Sequence, residues 1–409
     1  MDSAPKLRAV EAFPVQQEGE ELICLRDPEG FAEGPVLLNK YLAFLVSLMT
    51  GQNTLRDIQA DFMRATGELV AMEQLEGLVR QLDDHRSLES ERFGEFYRDL
   101  VGKFLSSPSR DAAHAGSAYD AQPEALQCQL EGFFAHPEGP GPIAAPKPAG
   151  VLRGLIAPHI DFHRGGPTYA HAYRSLSEHP GGDRFILFGT CHNPMKRRFA
   201  LTTKHFETPM GLVETDCEFV RRLAAGLSLD YFTDEFAHRA EHSLEFQAVF
   251  LKYTLRAAHS FKIVPILVGT FHDIYEEGNS ASQNEEIGEF VTAVRSAMSA
   301  MPANYVVLAG ADLAHVGRRF GDPSGPTQEA MESVGREDRR FLELVAAGDH
   351  DGMFRSIASE RDRRRVCGYP PIYMTLRCLD RPQGQILQYR QWTDYESGAA
   401  VTFAAMALY

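Results

Sequence analysis

The stretch Val151-Leu-Arg-Gly-Leu-Ile-Ala157, followed directly by Pro158-His159-Ile-Asp161-Phe-His163, decides the fold class. An apolar run of this length predicts a buried strand, and the polar residues after it predict a loop at the strand's carboxyl end. Two further apolar runs end in the same way: Phe185–Thr190 precedes Cys191-His192-Asn193, and Tyr305–Ala311 precedes Asp312-Leu-Ala-His315.

Strand and helix patterns alternate through this part of the chain. A fourth apolar run covers Ile263–Val268, and helical periodicity lies between the runs, near Tyr169–Ser175, Cys217–Leu227, His242–Arg256 and Ile287–Ala300. Such alternation predicts an α/β fold with a central, mostly parallel sheet and flanking helices.

The polar residues after the three strands point to one site. In open α/β sheets the ligand crevice lies beyond the carboxyl ends of the strands, so we expect His159, His192, Asp312 and His315 to converge there. A single histidine in such a place is more often a helix cap or a loop hydrogen-bonding residue. Three strand ends with the same character favour a functional site.

Two more features of the sequence contain candidate metal-binding or reactive residues. Cys367 comes just before a helix predicted to start near Pro370, a position that favours the thiolate form; the alternative is a small buried apolar residue. The segment His238-Arg-Ala-Glu241-His242 matches the inverted zinc-protease motif H-x-x-E-H. Because His238 follows a loop-like segment, we expect it to bind no zinc, while Glu241 and His242 face the main cleft.

Composition restricts the class of protein. The 409 residues include 41 Lys and Arg against 56 Asp and Glu, a formal net charge of −15. This excess of acid argues against binding to nucleic acid or an anionic membrane. The six cysteines are scattered and form no C-x-x-C pair, and the chain shows no signal-peptide pattern, so we expect a reducing, cytoplasmic location.

The first hundred residues follow a different pattern. Two short strand-like runs, Leu7–Phe13 and Glu21–Arg26, precede four helical patterns, the second opened by Thr54 and Asp57 as a capping pair. We predict a small helical, winged-helix-like module over residues 1–108 and an α/β metal-binding domain over residues 109–409. The module resembles the peptide-binding domains of the PqqD type.

Seven motifs, in order, resemble the Memo family, which in bacteria and archaea is also called AmmeMemoRadiSam system protein B. They are Ala157-Pro-His159, Gly189-Thr-Cys-His192, Glu207-Thr-Pro-Met-Gly211, Glu241-His-Ser-Leu-Glu245, Val264-Pro-Ile-Leu-Val-Gly269, Asp312-Leu-Ala-His315 and Cys367-Gly-Tyr-Pro-Pro-Ile372. The resemblance covers about residue 110 to the end.

The resemblance implies a fold similar to class III extradiol dioxygenases, which are non-haem iron enzymes. It implies metal ligands at His159, His192 and Cys367, with His315 as the acid/base beside Asp312. Two imidazoles and a thiolate suit iron(II) or copper, and zinc as well.

The chain departs from the better-known family pattern near this site. Asp161 and His163 follow the first histidine where that pattern has small residues and tyrosines, and Asn193 replaces a second histidine. Asp161, His163 and Asn193 are therefore candidate pocket residues, and a helix cap is the alternative for Asp161.

The resulting functional hypothesis is a mononuclear non-haem metal protein with redox or dioxygenase-type chemistry on a small molecule or peptide. The alternative is a non-catalytic peptide- or protein-binding module that works with a radical-SAM enzyme. An H-x-x-E-H zinc protease is the third reading.

Overall fold

The computed structural model describes residues 4–17, 19–143, 151–179, 181–256 and 260–409. The chain divides into two compact units, Met1–Ser106 and Ser107–Tyr409. None of the helices within the described ranges combines the length and the apolar character needed to cross a membrane.

The first unit is a three-stranded antiparallel sheet with four helices. Its elements are β1 (Glu11–Gln17), β2 (Glu20–Arg26), β3 (Val36–Leu38), α1 (Lys40–Ser47), α2 (Leu55–Thr66), α3 (Met72–Asp84) and α4 (Glu91–Ser106). Thr54 caps α2, and its side chain and that of Asp57 form the predicted reciprocal pair. The first strand begins at Glu11 rather than at Leu7, because Leu7 makes only a single bridge, to Leu88.

Asp27 holds the turn after β2 in place. Its buried carboxylate accepts hydrogen bonds from Arg8 at 2.9 Å and from the backbone N–H groups of Phe31 and Ala32 at 2.8 and 2.9 Å. Burial alone would raise the pKa of Asp27, but these donors outweigh it and hold the pKa below its usual value.

We expect Asp27→Asn to lower the free energy of unfolding of the first unit by about 1.5–3 kcal/mol at pH 7, because hydrogen bonds to a charged acceptor are lost. The folded-state pKa is depressed, so this contribution is present above pH ~4 and is lost as the pH falls through the folded value. Hydrogen exchange of residues 4–106 as a function of pH measures it. Asp99→Asn, which breaks an exposed pair with Lys103, is the control; equal effects would contradict the assignment.

The second unit contains an eight-stranded mixed sheet. Its eight strands are β5 (Gly154–Ala157), β6 (Arg184–Thr190), β7 (Phe199–Leu201), β9 (Lys262–Val268), β10 (Tyr305–Gly310), β11 (Asp312–Gly317), β12 (Gly384–Asp394) and β13 (Ala399–Leu408). Two further strands, β4 (Ser109–Arg110) and β8 (His205–Phe206), pair with each other in a separate small sheet. The four central strands run parallel in the order β5-β10-β6-β9. Antiparallel strands complete both sides, with β7 next to β9 and β13 next to β5.

Helices cover both faces of this sheet. They are α5 (Pro123–Ala135), α6 (Phe162–Glu178), α7 (Cys217–Ala225), α8 (His242–Thr254), α9 (His272–Glu276), α10 (Glu285–Ala300), α11 (Gln328–Ala346), α12 (His350–Ser359) and α13 (Tyr369–Leu379). One apolar core forms under α5, α6 and α8, and a second forms under α7, α10 and α13. The predicted α/β class is therefore confirmed.

One local expectation was wrong. The segment from Asp312 to His315 is a strand, β11, and not a loop after β10. It is a strand because it pairs with β13, whose residues lie more than eighty positions further along the chain.

Candidate metal centre at the carboxyl edge of the sheet

The ends of two strands on either side of β10, together with one helix start, deliver three histidines to the same place. His159 lies two residues beyond β5, His192 lies two residues beyond β6, and His242 is the first residue of α8. The start of α8 approaches the sheet closely, because a Cβ on Gly310 would lie only 2.5 Å from the Ser243 carbonyl oxygen. The glycine at the end of β10 thus lets His242 reach the strand ends.

One ring nitrogen from each of His159, His192 and His242 lies within 4.8 Å of the other two. The ring of His192 stacks on that of His242 with centroids 4.6 Å apart, and His159 meets both rings edge-on at 5.0 and 5.4 Å. His159 is buried, whereas the side chains of His192 and His242 are 39% and 30% exposed. The three imidazoles can hold a metal ion, and the site is open on one side.

Hydrogen bonds fix which nitrogen of two rings faces the site. His159 Nδ1 lies 3.0 Å from the Gly310 carbonyl, and His192 Nδ1 lies 3.0 Å from the Glu241 carboxylate. Both partners only accept, so each Nδ1 carries the hydrogen and each Nε2 keeps its lone pair. Metal-binding histidines are oriented in this way.

Glu241 organises the open side of the site. It caps α8 and accepts from the Ser243 N–H at 3.0 Å and the His192 N–H at 2.9 Å. Burial would raise the pKa of Glu241, but His192 and His242 hold it well below its usual value. Burial would lower the pKa of His192, and the charge and hydrogen bond of Glu241 raise it instead. The structure places Glu241 and His242 beside His192.

Asp312 and His315 lie on the buried side. The Asp312 carboxylate accepts from the His159 N–H at 2.9 Å and has an oxygen 3.7 Å from His159 Nε2. Burial raises the pKa of Asp312 to about 6. Burial lowers the pKa of His315 to about 4, and its Nδ1 lies 3.1 Å from the Leu313 carbonyl, which leaves Nε2 free.

Cys367 reaches the site from the other side of Asp312. Its sulfur lies 3.3 Å from His159 Nε2, but it is not part of the three-histidine group. A Cβ on Gly368 would lie 2.2 Å from the Asp312 carbonyl oxygen, so glycine is required at the start of α13 for this approach. The expectation that the helix start favours the thiolate was wrong: burial, followed by the Asp312 charge, raises the pKa of Cys367 well above its usual value.

The remaining predicted residues lie at the margin. Asp161 is the N-cap of α6, which was the alternative to a pocket role for this residue. Its carboxylate accepts from the Arg164 N–H and pairs with the Arg164 side chain. His163 is exposed on the first turn of α6 and lies outside the histidine group. Asn193 lines a cleft next to His192, and its carbonyl accepts from the Cys191 sulfur at 3.3 Å.

The geometry of the H-x-x-E-H segment does not match a protease helix. His238 lies in a short 3-10 helix (Glu235–Arg239), before α8 begins, so it does not share a helix face with His242. It is buried, and its Nε2 lies 3.1 Å from the Ala200 carbonyl. Among the described residues, the histidine group that can hold a metal does not include it.

A buried polar network behind the site was not predicted. Arg110 donates to the Glu241 carbonyl at 2.9 Å and pairs with the Glu245 carboxylate, which also accepts from the Tyr119 hydroxyl at 2.5 Å. The N–H of His114 donates to Glu245 at 2.9 Å. A signal was present in the sequence, because Glu245 is the single acid of the α8 segment and stands directly between Leu244 and Phe246.

The fold and this site together define an α/β protein with a candidate mononuclear metal centre at the carboxyl edge of its sheet. In a comparison with known proteins, a family model described as "Memo-like protein" matches residues 110–407. The chain therefore belongs to the Memo-like family.

Relatives named "MEMO1 family protein" occur in several microorganisms. The Aquifex aeolicus protein is 28% identical over 408 residues, which is 99% of this chain and all of that protein. The Methanopyrus kandleri protein is 30% identical over 287 residues, or 68% of this chain and 91% of its own length. The Thermus thermophilus protein is 28% identical over 337 residues, 82% of this chain and 93% of its own length.

Proposed function

We propose that this protein binds one metal ion, iron(II) or copper with zinc as a further fit, and uses it for redox or oxygen chemistry on a small molecule. The observation that carries the proposal is the group of three histidine nitrogens within 4.8 Å. The hydrogen bonds that His159 and His192 donate to the Gly310 carbonyl and the Glu241 carboxylate orient two of the rings and add to it.

Cys367 would complete the ligand set. Two ligands of one tetrahedral ion, a nitrogen at about 2.0 Å and a sulfur at about 2.3 Å, lie roughly 3.5 Å apart. The 3.3 Å between Cys367 Sγ and His159 Nε2 fits that separation. Imidazoles with one thiolate suit a borderline or soft metal ion, which is why iron(II), copper and zinc are the candidates.

The surrounding residues suit a reaction. A bound iron or copper ion would supply one-electron redox chemistry. His315, held at Nδ1 by the Leu313 carbonyl, can take or give a proton at Nε2. Asp312 fixes the His159 backbone, and the partly exposed rings of His192 and His242 leave a way in for a small molecule.

The test is metal analysis of protein purified without oxygen, followed by oxygen uptake with small diols and thiols. We expect about one metal ion per chain and uptake that depends on the metal and is lowered in His315→Gln. Protein that holds no metal, or that holds it and consumes no oxygen with any substrate, would contradict the catalytic proposal.

A second candidate is non-catalytic recognition of a peptide, with a radical-SAM enzyme as partner. What favours it is the first unit, which exposes large apolar side chains in the described residues: Leu37, Tyr41 and Leu69 are 43%, 54% and 69% exposed. A PqqD-like peptide-binding role would use exposed apolar side chains of this kind.

The two cysteines beside the strand ends provide a matched pair of variants. We expect Cys367→Ser to weaken metal binding at least ~10-fold, more for copper(I) than for iron(II), because the softer ion depends more on sulfur. Cys191→Ser should change little, since that thiol donates to the Asn193 carbonyl. Anaerobic titration with both ions decides. Equal losses, or a loss only in Cys191→Ser, would show that the assigned ligand is wrong.

A further inference from the structure

A cleft of about 620 Å³ opens beside the candidate metal centre. His192 lines it directly, together with Cys191, Asn193 and the basic run Lys196-Arg197-Arg198. Its opposite wall comes from the residues after β9 and from Asp273 and Glu286. The cleft therefore borders the histidine group at His192.

One of the three cations in this cleft is already neutralised. Arg198 makes a bidentate pair with Asp273, at 2.9 and 2.7 Å, and its Nε reaches Glu286 at 3.3 Å. Both lining carboxylates are thus engaged by a single guanidinium, which leaves neither of them free to pair with Lys196 or Arg197.

Within the described residues, the side chains of Lys196 and Arg197 form no ion pair, although the backbone N–H of Arg197 donates to the Asp234 carboxylate at 2.8 Å. The Nε of Arg197 is buried and, within the same ranges, has no hydrogen-bond acceptor. Because the buried Nε cannot be reached from the cleft, the outer edge of the guanidinium is the part that can match the two oxygens of a carboxylate or phosphate. The positive charge is also unusual in a chain with a net charge of −15.

We propose that this cleft binds the anionic group, carboxylate or phosphate, of the small molecule that reacts at the metal centre. The inference rests on the proposed function and adds its substrate class. Arg197 supplies the fork and Lys196 a second charge, which also steers anions toward an otherwise acidic protein. Because His192 lines the same cleft, a molecule anchored there lies next to the metal centre.

The test uses hydroxamates, which bind zinc, with protein loaded with redox-inert zinc(II). Succinate monohydroxamate, its methyl ester and 3-phosphonopropionohydroxamate share the metal-binding end and differ in the distal charge. Calorimetric titration should show the wild type binding an anionic probe about tenfold or more tighter than the ester. The better anionic probe identifies the carboxylate or the phosphate as the natural group.

Arg197→Gln and Lys196→Gln should remove most of this preference, without changing zinc content, and Arg197→Lys should restore part of it. Arg221→Gln, at an exposed position on α7, is the control for charge alone. Equal affinity for acid and ester, no binding of either, or an equal loss in Arg221→Gln overturns the proposal. An affinity for the acid that is unchanged by zinc removal supports the cleft while counting against the metal centre.

Discussion

We expect His159→Ala to abolish metal binding at this site and His163→Ala to leave it unchanged. His159 is buried, its Nδ1 is tied to the Gly310 carbonyl, and its Nε2 lies within reach of both the histidine group and Cys367. His159 belongs both to the three-histidine group and to the set of two histidines with Cys367, so its loss removes a metal ligand from either set. We expect the affinity to fall by more than the ~10–100-fold typical of losing a residue that only orients a ligand.

Anaerobic titration with iron(II) measures this effect, and His163→Ala is the matched control because it changes an exposed histidine four positions along the chain. His192→Ala is a second variant that leaves the buried side intact, since the His192 side chain is partly exposed. Undiminished metal binding in both His159→Ala and His192→Ala would show that the ion lies elsewhere.

Glu245→Ala is expected to destabilise the second unit by about 3–5 kcal/mol. It leaves Arg110 as a buried charge without its carboxylate, and it also removes the acceptor for the Tyr119 hydroxyl. The single tryptophan, Trp392, lies on β12 in this unit, so its fluorescence during urea denaturation follows the relevant transition.

Glu131→Ala serves as the control, because its pair with Arg256 is exposed on both sides and is worth ~1 kcal/mol or less. The double replacement Arg110→Met with Glu245→Leu should regain part of the loss, since it removes the unpaired charge. A Glu245→Ala effect no larger than that of Glu131→Ala would mean that the buried pair is not important for stability.

The sequence was most informative where burial alone determines structure. The apolar runs ending at Ala157, Thr190, Val268 and Gly310 became the four parallel strands, because strands buried on both faces are apolar throughout. The β12–β13 hairpin and the pairing of β11 with β13 were not predicted. Those pairings join distant segments, and nothing local in Asp312–Gly317 distinguishes a strand from a loop.

In the candidate site as well, local sequence patterns identified some residues, whereas contacts between distant segments determined the others. His159 and His192 could be placed because each comes directly after a buried strand. His242 belongs to the histidine group because α8 approaches the sheet closely, at the contact between Gly310 and Ser243. No local sequence pattern reveals that contact, because the two residues are far apart in the chain. The pKa of the Cys367 thiol was misjudged because the helix start was visible in the sequence, whereas burial beside Asp312 was not.

The central claim is that one metal ion sits among these histidines, and anomalous diffraction from crystals of the iron(II)-loaded protein tests it most directly. The account predicts a single peak per chain at bonding distance, about 2.0–2.2 Å, from Nε2 of both His159 and His192. A peak on His238, or a fully loaded protein whose iron lies away from His159 and His192, would contradict it.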